Sequence, residues 1–275
     1  MSAVELVHRL TFAPLKARLG PSAFSALSLR HQRVVYSIHD GVPLWAELTR
    51  PRDERILPSV VLVHGGSWGG RSLADMRQTA RLIASQGFVV LNVSYRFAPR
   101  FRYPAQLEDL HRAIHYLRAH AGDWQVDLER TCGWGYSAGG HLITQWALLE
   151  SKRAGRPVFN GIVAGGTPFD LSWYPFSPII THLLDGFRDQ RPCEYQEASP
   201  VNHVGPWAPP MFLYHAERDR LVEAVQSTHM QNLLRRHGVH AELHLLKWGG
   251  HIRAFLFGQS AVEKGIAFLK ARTDA

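Results

Sequence analysis

The chain has 275 residues, of which 45% are hydrophobic and 20% charged. That balance supplies enough apolar surface for a sizeable core and excludes an intrinsically disordered protein. The formal net charge is +8, but the 31 Lys and Arg residues are scattered singly or in pairs rather than grouped in a run. We therefore expect a solvated basic surface and no nucleic-acid partner.

Targeting, membrane and metal signals are weak in this sequence. The opening residues 1–20 contain no unbroken apolar stretch, and no later segment approaches the roughly 20 apolar residues of a membrane span. We therefore expect a cytoplasmic protein without stable membrane insertion. Cys132 and Cys193 are too few for a disulfide framework, and no His or Cys cluster has metal-ligand spacing. Neither a metal nor a cofactor is expected.

Short runs rich in Val, Ile and Leu alternate with longer helical patterns, which is typical of parallel strands joined by crossover helices. The predicted strands are 33–38, 44–49, 59–64, 88–94, 130–136, 160–165, 210–215 and 240–246. The first two are close enough in sequence to form an antiparallel hairpin. The predicted helices are 73–86, 104–121, 138–153, 222–237 and 253–271. The pattern predicts an α/β fold with a mostly parallel, eight-stranded sheet flanked by helices, in one domain over residues 1–275.

Two segments, 1–30 and 167–208, do not follow that alternation. The second is too aromatic for a simple solvated linker, and long segments of this kind often form lids or pocket walls. We predict an N-terminal cap segment at 1–30 and a cap or pocket insertion at 167–208, with Trp173 and Phe176 in a substrate pocket. A satellite hydrophobic cluster that only shields the sheet is the alternative for the second segment.

A Gly-x-Ser-x-Gly pattern occupies residues 135–139, between a β-rich run and a helical pattern. In such a strand-turn-helix context the serine adopts a strained backbone that exposes its hydroxyl, and small residues two places away let strand and helix approach closely. Ser137 is therefore predicted as a nucleophile. The structural alternative is an ordinary helix N-cap.

The same pattern occurs a second time at 65–69, around Ser67. Gly69 and Gly70 separate Ser67 from the next helical pattern, so this serine lacks the strand-turn-helix context. The stretch instead indicates a glycine-rich loop after an apolar strand. Backbone N–H groups in such a loop can donate hydrogen bonds to an oxyanion. We predict that Gly65 and Gly66 supply these donors. The alternative is a glycine-rich connection between a strand and a helix that has no catalytic role.

Other residues beside these two motifs are predicted to act in the same site. The residue after a nucleophilic serine can supply a further N–H to the oxyanion, which assigns this role to Ala138. Residues flanking both motifs are predicted to line the substrate pocket: Ser67, Trp68 and Tyr136.

In a Ser-His-Asp arrangement on a parallel sheet, the nucleophile comes first in the chain, the acid second and the base third, and the last two follow late strands. Asp219 comes after the apolar run at 210–215, where a carboxylate would leave the sheet edge, with Glu217 as the second choice. A helix N-cap is the structural alternative for Asp219. His251 follows the last predicted strand, and an imidazole there could take the Ser137 proton while Asp219 fixes its tautomer.

Taken together, these motifs resemble the hormone-sensitive-lipase-like and bacterial carboxylesterase branch of the α/β-hydrolase superfamily, over roughly residues 33–272. The resemblance rests on HGGSW at 64–68, SYRFAP at 94–99, YPAQLEDL at 103–110, GYSAGGHL at 135–142, HAERDRLV at 215–222 and GGHIRAF at 249–255. It implies the α/β-hydrolase fold with a small cap, and a structural rather than a catalytic role for Arg96 and Asp109. Ser67 stands where that branch usually has a third glycine, and the loop is also similar to kynurenine formamidases and feruloyl-esterase-like enzymes.

The resemblance implies a carboxylic-ester hydrolase that acts on short- to medium-chain acyl or aryl esters through a Ser-His-Asp triad and an acyl-enzyme. An arylformamidase is the close alternative, and a non-catalytic ligand-binding protein on the same fold is the alternative from a different class. The expected partner is a small-molecule ester or aryl formamide. A homodimer is left open by the sequence.

Overall fold

The computed structural model describes residues 29–274, so the predicted N-terminal cap segment lies almost entirely outside the described residues. Within them, all eight predicted strands are present in one sheet. Their bounds are β1 Leu29–His39, β2 Val42–Pro51, β3 Leu57–Val63, β4 Val89–Val93, β5 Val126–Tyr136, β6 Ile162–Gly165, β7 Met211–Ala216 and β8 Ala241–Leu246.

The order of strands across the sheet is β1-β2-β4-β3-β5-β6-β7-β8. The first two strands form the predicted antiparallel hairpin, and β2 also pairs antiparallel with β4. Every pair from β4 onward is parallel. The predicted mostly parallel sheet is therefore confirmed, and its parallel part brings the carboxyl ends of β3, β5, β7 and β8 to one edge.

Helices cover both faces of the sheet. Their bounds are α1 Arg77–Ala84, α2 Ala105–Ala119, α3 Ala138–Ala154, α4 Pro178–Leu184, α5 Pro192–Glu197, α6 Val225–Arg236, α7 His251–Phe257 and α8 Gln259–Thr273. Short 3₁₀ turns lie at Leu73–Met76, Leu171–Trp173 and Pro200–His203. No helix of residues 29–274 has the length and apolar character needed to cross a membrane.

Two helix predictions differ from the structure. The predicted helix 253–271 is two helices, α7 and α8, which meet at Gly258. The break lets α7 start at His251 while α8 packs on the sheet, where Gly265 faces the Trp134 ring. The predicted start at 222 is also wrong, because residues before Val225 form a turn around Asp219.

The hydrophobic core forms two clusters, one on each side of the sheet. Strand β3 contributes to both, with Val61 and Val63 in one cluster and Val60 and Leu62 in the other, as the two-residue period of a strand requires. The first cluster includes apolar residues of α2, α3 and α6, and the second those of α1 and α8. The sheet is thus covered on both faces, and its central strands are rigidly packed.

A buried ion pair ties the end of β4 to α2. The Asp109 carboxylate is fully buried and accepts hydrogen bonds from the backbone N–H and the Nε–H of Arg96, at 2.9 and 2.8 Å. Next to Arg96, Tyr95 stacks on His64 with ring centroids 4.6 Å apart. The pair therefore braces the loop after β4 against the loop after β3, in line with the structural duty that the resemblance implies for both residues.

Replacing Asp109 by Ala should lower the free energy of unfolding by about 3–5 kcal/mol, because it leaves the buried Arg96 guanidinium without its main counter-charge. Urea unfolding followed by circular dichroism measures this change. The matched control is Glu150→Gln, which removes one partner of the exposed Arg153–Glu150 pair and should change stability by no more than about 0.5 kcal/mol. Equal effects of the two changes would contradict the bracing role of Asp109.

Candidate active site

The loops that follow β3, β5, β7 and β8 meet at the carboxyl edge of the sheet. They carry, in this order, Gly65 and Gly66, Ser137, Asp219 and His251. Crevices at this edge are where open α/β sheets bind ligands, because loops from separate strands converge there above a rigid core. The topology therefore brings together residues that are far apart in the sequence.

Ser137 lies on a sharp turn between β5 and α3. Its φ of 54° and ψ of −123° are strained for a residue with a side chain, and its backbone N–H donates to the Gly165 carbonyl at 2.7 Å. A Cβ at Gly135 would collide with the Gly139 backbone, and a Cβ at Gly139 would collide with the carbonyl oxygens of Val63 and His64. Both glycines are thus required by the close approach of strand and helix, as the motif predicts.

Ser137, His251 and Asp219 form a continuous hydrogen-bonded chain. The Nε2 atom of His251 lies 2.9 Å from the Ser137 hydroxyl oxygen, and Nδ1 lies 2.7 Å from Asp219 Oδ2. Because a carboxylate only accepts, Nδ1 carries the proton and Nε2 is free to accept from the serine hydroxyl. Both His251 and Asp219 are buried, at 8% and 5% exposure, so water does not compete for these bonds.

Asp219 is held by more than His251. Its Oδ1 accepts from the N–H groups of Leu221 and Val222 at 2.9 and 3.0 Å, and the His215 Nε2 lies 3.4 Å from Oδ2. Burial raises the pKa of this carboxyl, but hydrogen bonds from His215 and His251 outweigh burial and hold the pKa well below its usual range. Asp219 therefore stays ionised. Glu217, the second choice from the sequence, is exposed and takes no part in this network.

Tyr136 contributes in a way that the sequence pattern did not reveal. Its hydroxyl donates to the backbone carbonyl of His251 at 2.6 Å, and its ring lies 5.2 Å from the imidazole. The residue before Ser137 thus fixes the loop that carries His251. A strand-end tyrosine gives no sequence signal for such a contact, because its partner is 115 residues away.

The loop after β3 presents unpaired backbone N–H groups beside Ser137. Within residues 29–274, the N–H groups of Gly65, Gly66 and Ala138 donate to no backbone carbonyl. A Cβ at Gly65 would lie 2.9 Å from the Tyr136 carbonyl oxygen, so glycine is needed for this close approach. An oxyanion placed on the Ser137 side of the loop would meet donors that need no reorganisation.

Two cavities of different size adjoin Ser137. The larger, of about 470 Å³, is lined by His251 together with Gly65, Gly66 and Tyr136. The smaller, of about 60 Å³, is also lined by Ser137 but not by His251; its other walls are Ser67, Trp68, Ala138, Pro168, Tyr174, Ser177, Ile179, Ile180, Leu221 and Val222. The site thus offers a larger and a smaller space beside Ser137.

The structure places three of the five predicted pocket residues at the cavities. Tyr136 lines the larger cavity, Trp68 the smaller and Ser67 both. Trp173 and Phe176 line neither, which corrects the prediction: Trp173 packs near His229, and Phe176 is 74% exposed and touches Phe187 edge-on. Sequence reasoning missed other wall residues, namely Tyr174, Ile179, Ile180, Leu221, Val222, Ile252 and Phe255. Their aliphatic and aromatic character gave no signal that separates a wall from a core.

Comparison with known proteins places this site in a family. Residues 48–234, more than half of the chain, match the BD-FAE family. The chain belongs to the BD-FAE family. The match begins in β2 and ends in α6, so it includes the glycine loop, Ser137 and Asp219 but not His251.

Curated relatives of this BD-FAE chain come from Mycobacterium tuberculosis. The probable carboxylic ester hydrolase LipM is 29% identical over 195 residues, which cover 65% of this chain and 45% of LipM. The esterase LipC is 28% identical over 235 residues, covering 76% of this chain and 57% of LipC. The chain spans about half the length of these relatives. They confirm the predicted resemblance to bacterial carboxylesterases.

Solved structures share the architecture of this BD-FAE chain. Esterase 2 of Thermogutta terrifontis, phosphonylated by sarin, superimposes with a TM-score of 0.76 at 23% identity and covers 87% of this chain and 94% of its own. The bifunctional GH43-CE protein of Bacteroides eggerthii gives a TM-score of 0.79 at 20% identity, covering 88% of this chain and 35% of its own. The predicted α/β-hydrolase fold is confirmed.

Proposed function

We propose that this protein is a carboxylesterase-type serine hydrolase that uses Ser137 as nucleophile, His251 as base and Asp219 as the residue that orients the base. The observation that carries the proposal is the hydrogen-bonded chain of these three residues. Gly65, Gly66 and Ala138 lie beside Ser137, and within residues 29–274 their N–H groups donate to no backbone carbonyl. The esterase names of the curated relatives support the same reaction class.

The reaction proceeds in two balanced steps. The Ser137 oxygen attacks the ester carbonyl carbon and passes its proton to His251 Nε2, and the carbonyl oxygen becomes an oxyanion held by the loop N–H groups. When the bond to the leaving group breaks, His251 returns the proton to the departing oxygen, which leaves an acyl-enzyme. In the second step His251 takes a proton from a water molecule, whose oxygen attacks the acyl carbon. The bond to the Ser137 oxygen then breaks, His251 returns the proton to that oxygen, and the carboxylic acid is released. Asp219 remains ionised throughout and stabilises the imidazolium.

The two cavities support an assignment of the two halves of the substrate. The departing oxygen must receive its proton from His251, so the leaving group occupies the larger cavity, which His251 lines. The acyl chain then occupies the smaller cavity of about 60 Å³. A cavity of this size suits a formyl, acetyl or propionyl group better than a long chain. The preferred substrates are therefore short-chain acyl esters of bulky alcohols or phenols.

The expected acyl preference is steep. Among p-nitrophenyl esters, kcat/KM should peak at acetate or propionate and fall by about 10- to 200-fold once the chain outgrows the small cavity, since one misfitting methylene is worth about 1–3 kcal/mol. The variant Ile180→Ala, which widens this cavity, should shift the optimum to longer chains. The control Ile252→Ala alters only the wall of the larger cavity and should leave the acyl optimum in place. A flat profile from acetate to octanoate would contradict the assignment.

The same experiment separates the alternatives. An aryl formamide assayed beside the esters distinguishes an arylformamidase, because the formyl group also fits the small cavity and the aryl amine the large one. A fluorophosphonate that labels Ser137 tests catalytic competence, and the phosphonylated structure of the Thermogutta terrifontis esterase supports the choice of probe. Absence of both labelling and turnover would leave a non-catalytic ligand-binding protein as the better description.

A further inference from the structure

His141 is a buried polar side chain to which the proposed reaction gives no role. It lies in the first turn of α3, where its backbone N–H donates to the Ser137 carbonyl at 2.9 Å, and its side chain is fully buried. The Trp68 indole N–H donates to His141 Nδ1 at 3.2 Å, and His141 Nε2 lies 2.7 Å from the Ala198 carbonyl oxygen. The imidazole thus bridges three separate segments of the chain.

These partners fix the protonation of His141. An indole N–H only donates and a carbonyl only accepts, so Nδ1 must be the acceptor and Nε2 must carry the proton. Burial lowers the pKa of His141 to about 4, with the Ala198 carbonyl acting weakly in the other direction. The ring is neutral and locked in one tautomer at physiological pH.

The Trp68 end of this bridge belongs to a strained loop. Gly66, Ser67 and Trp68 have φ values of 117°, 55° and 56°, so two consecutive residues with side chains lie in the left-handed region. Each such residue costs about 1–3 kcal/mol and persists only where its surroundings hold it. Backbone bonds hold part of the loop, from Gly69 N–H to Gly66 and from Ala98 N–H to Trp68. The Trp68 side chain has His141 as its hydrogen-bond partner.

The strained residues Ser67 and Trp68 directly follow Gly65 and Gly66, which line the larger cavity together with Ser137. A rotation of Trp68 would turn the peptide units before it, and with them the donors at Gly65 and Gly66. Donors that stabilise an oxyanion must lie at the place where its charge develops, and a displacement of about 1 Å can cost 10²-fold in rate. Trp68 lines the smaller cavity, whereas His141 lines neither cavity. The indole-imidazole bond is therefore positioned to control the geometry of the oxyanion site through the loop.

We propose that His141 is a positioning residue: its Nδ1 accepts from Trp68 and thereby holds the Gly65–Trp68 loop in the conformation that binds the oxyanion. The bond to the Ala198 carbonyl keeps the proton on Nε2, so that Nδ1 is always an acceptor. The proposal rests on the proposed ester hydrolysis. Because the oxyanion forms only during reaction, loss of the bond acts on kcat and leaves KM largely unchanged.

Two amide variants separate the two nitrogens of the ring. In His141→Asn the amide oxygen takes the place of Nδ1 and still accepts from Trp68, whereas in His141→Gln the amide nitrogen reaches toward Ala198 and the acceptor for Trp68 is lost. We expect His141→Gln to lower kcat for p-nitrophenyl acetate by about 10- to 100-fold with KM changed by less than about threefold. His141→Asn should retain most of kcat.

Trp68→Phe provides the reciprocal test, because it removes the donor and keeps an aromatic ring. It should lower kcat as His141→Gln does, and the double variant should lose little more than either single one, since both remove the same bond. The matched control is Trp146→Phe, which deletes a buried indole N–H that has no hydrogen-bond partner within residues 29–274. This control should retain the activity of the wild type.

The possible results have distinct meanings. A wild type that neither hydrolyses the ester nor reacts with a fluorophosphonate overturns the proposed function and this proposal with it. An active wild type with undiminished kcat in His141→Gln and Trp68→Phe overturns the positioning role alone. The same holds if His141→Asn falls as far as His141→Gln, or if the loss appears in KM or only as a lower melting temperature. The selective fall in kcat supports the proposal.

Discussion

Ser137→Ala should reduce turnover of p-nitrophenyl acetate by about 10⁴- to 10⁶-fold at unchanged stability, the size of loss typical for removal of a serine nucleophile. Among residues 29–274 the hydroxyl has His251 as its only hydrogen-bond partner, and the strained turn is set by the backbone and by the glycines at 135 and 139. Alanine preserves this backbone as well as serine does. The loss is therefore chemical, and it is measured as kcat/KM with the free energy of unfolding determined in parallel.

Ser67→Ala is the comparison that makes this result decisive. Ser67 belongs to the second Gly-x-Ser-x-Gly pattern and also lines both cavities, but it has no hydrogen bond to a histidine side chain within residues 29–274. Its replacement should reduce turnover by less than about tenfold, the effect of one polar contact. A larger loss in Ser67→Ala than in Ser137→Ala would transfer the nucleophile to the other loop.

Most of the fold follows from patterns that depend on local periodicity. The apolar runs at 59–64 and 88–94 lie in the buried centre of the sheet, where both faces are covered, and continuous apolar character is a strong signal there. The break at Gly258 was not predicted, because α7 and α8 together keep a helical spacing of apolar residues. What separates them is a change of direction that tertiary packing requires, and periodicity does not record it.

Only part of the candidate site could likewise be predicted from the sequence. Ser137, Asp219 and His251 were found because each follows a strand in a fixed chain order, so their convergence depends only on topology. The cavity walls depend on which side of an irregular segment faces inward. In 167–208 the cavity walls include Tyr174, Ile179 and Ile180, whereas Phe169, Leu171 and Tyr195 are buried in the core and Phe176 is exposed. Because this segment has no regular spacing of apolar residues, its sequence does not distinguish the side chains that line a cavity from those that are buried or exposed.

The loop after β3 shows a third limit of sequence reasoning. The HGG pattern predicted N–H donors, and those N–H groups have no backbone partners in the part of the chain that the structure describes. The pattern gave no hint that Trp68 would be buried against His141, since the two residues are 73 positions apart. A contact of this kind links two motifs that were recognised separately. It can be read only once the β3 and β5 loops are brought together by the parallel sheet.

Asp219→Asn should lower kcat by about 10⁴-fold near neutral pH, an effect expected when the orienting carboxylate of a triad becomes an amide. The amide nitrogen facing His251 would donate to Nδ1, which forces the ring proton onto Nε2 and removes the acceptor for the Ser137 hydroxyl. The remaining amide oxygen can still accept from Leu221 and Val222, so the turn and the stability of the fold should change little.

Glu217→Gln is the matched control for Asp219→Asn, because it neutralises an exposed carboxylate two positions away and should change kcat by less than about threefold. Equal losses in the two variants would assign the effect to local charge instead of the His251 tautomer.

The pH profile of activity adds a second criterion. Burial raises the pKa of Asp219, but hydrogen bonds from His215 and His251 outweigh it and hold this pKa well below its usual range, so the carboxylate of the folded protein stays ionised at pH 5–6. The stability that Asp219 contributes is fully present above the pKa of an unfolded Asp and is lost as the pH falls below that value toward the lowered pKa of the folded state. Acid inactivation of the wild type at pH 5–6 must then arise from groups other than Asp219, and the Asn variant should be inactive across that whole range.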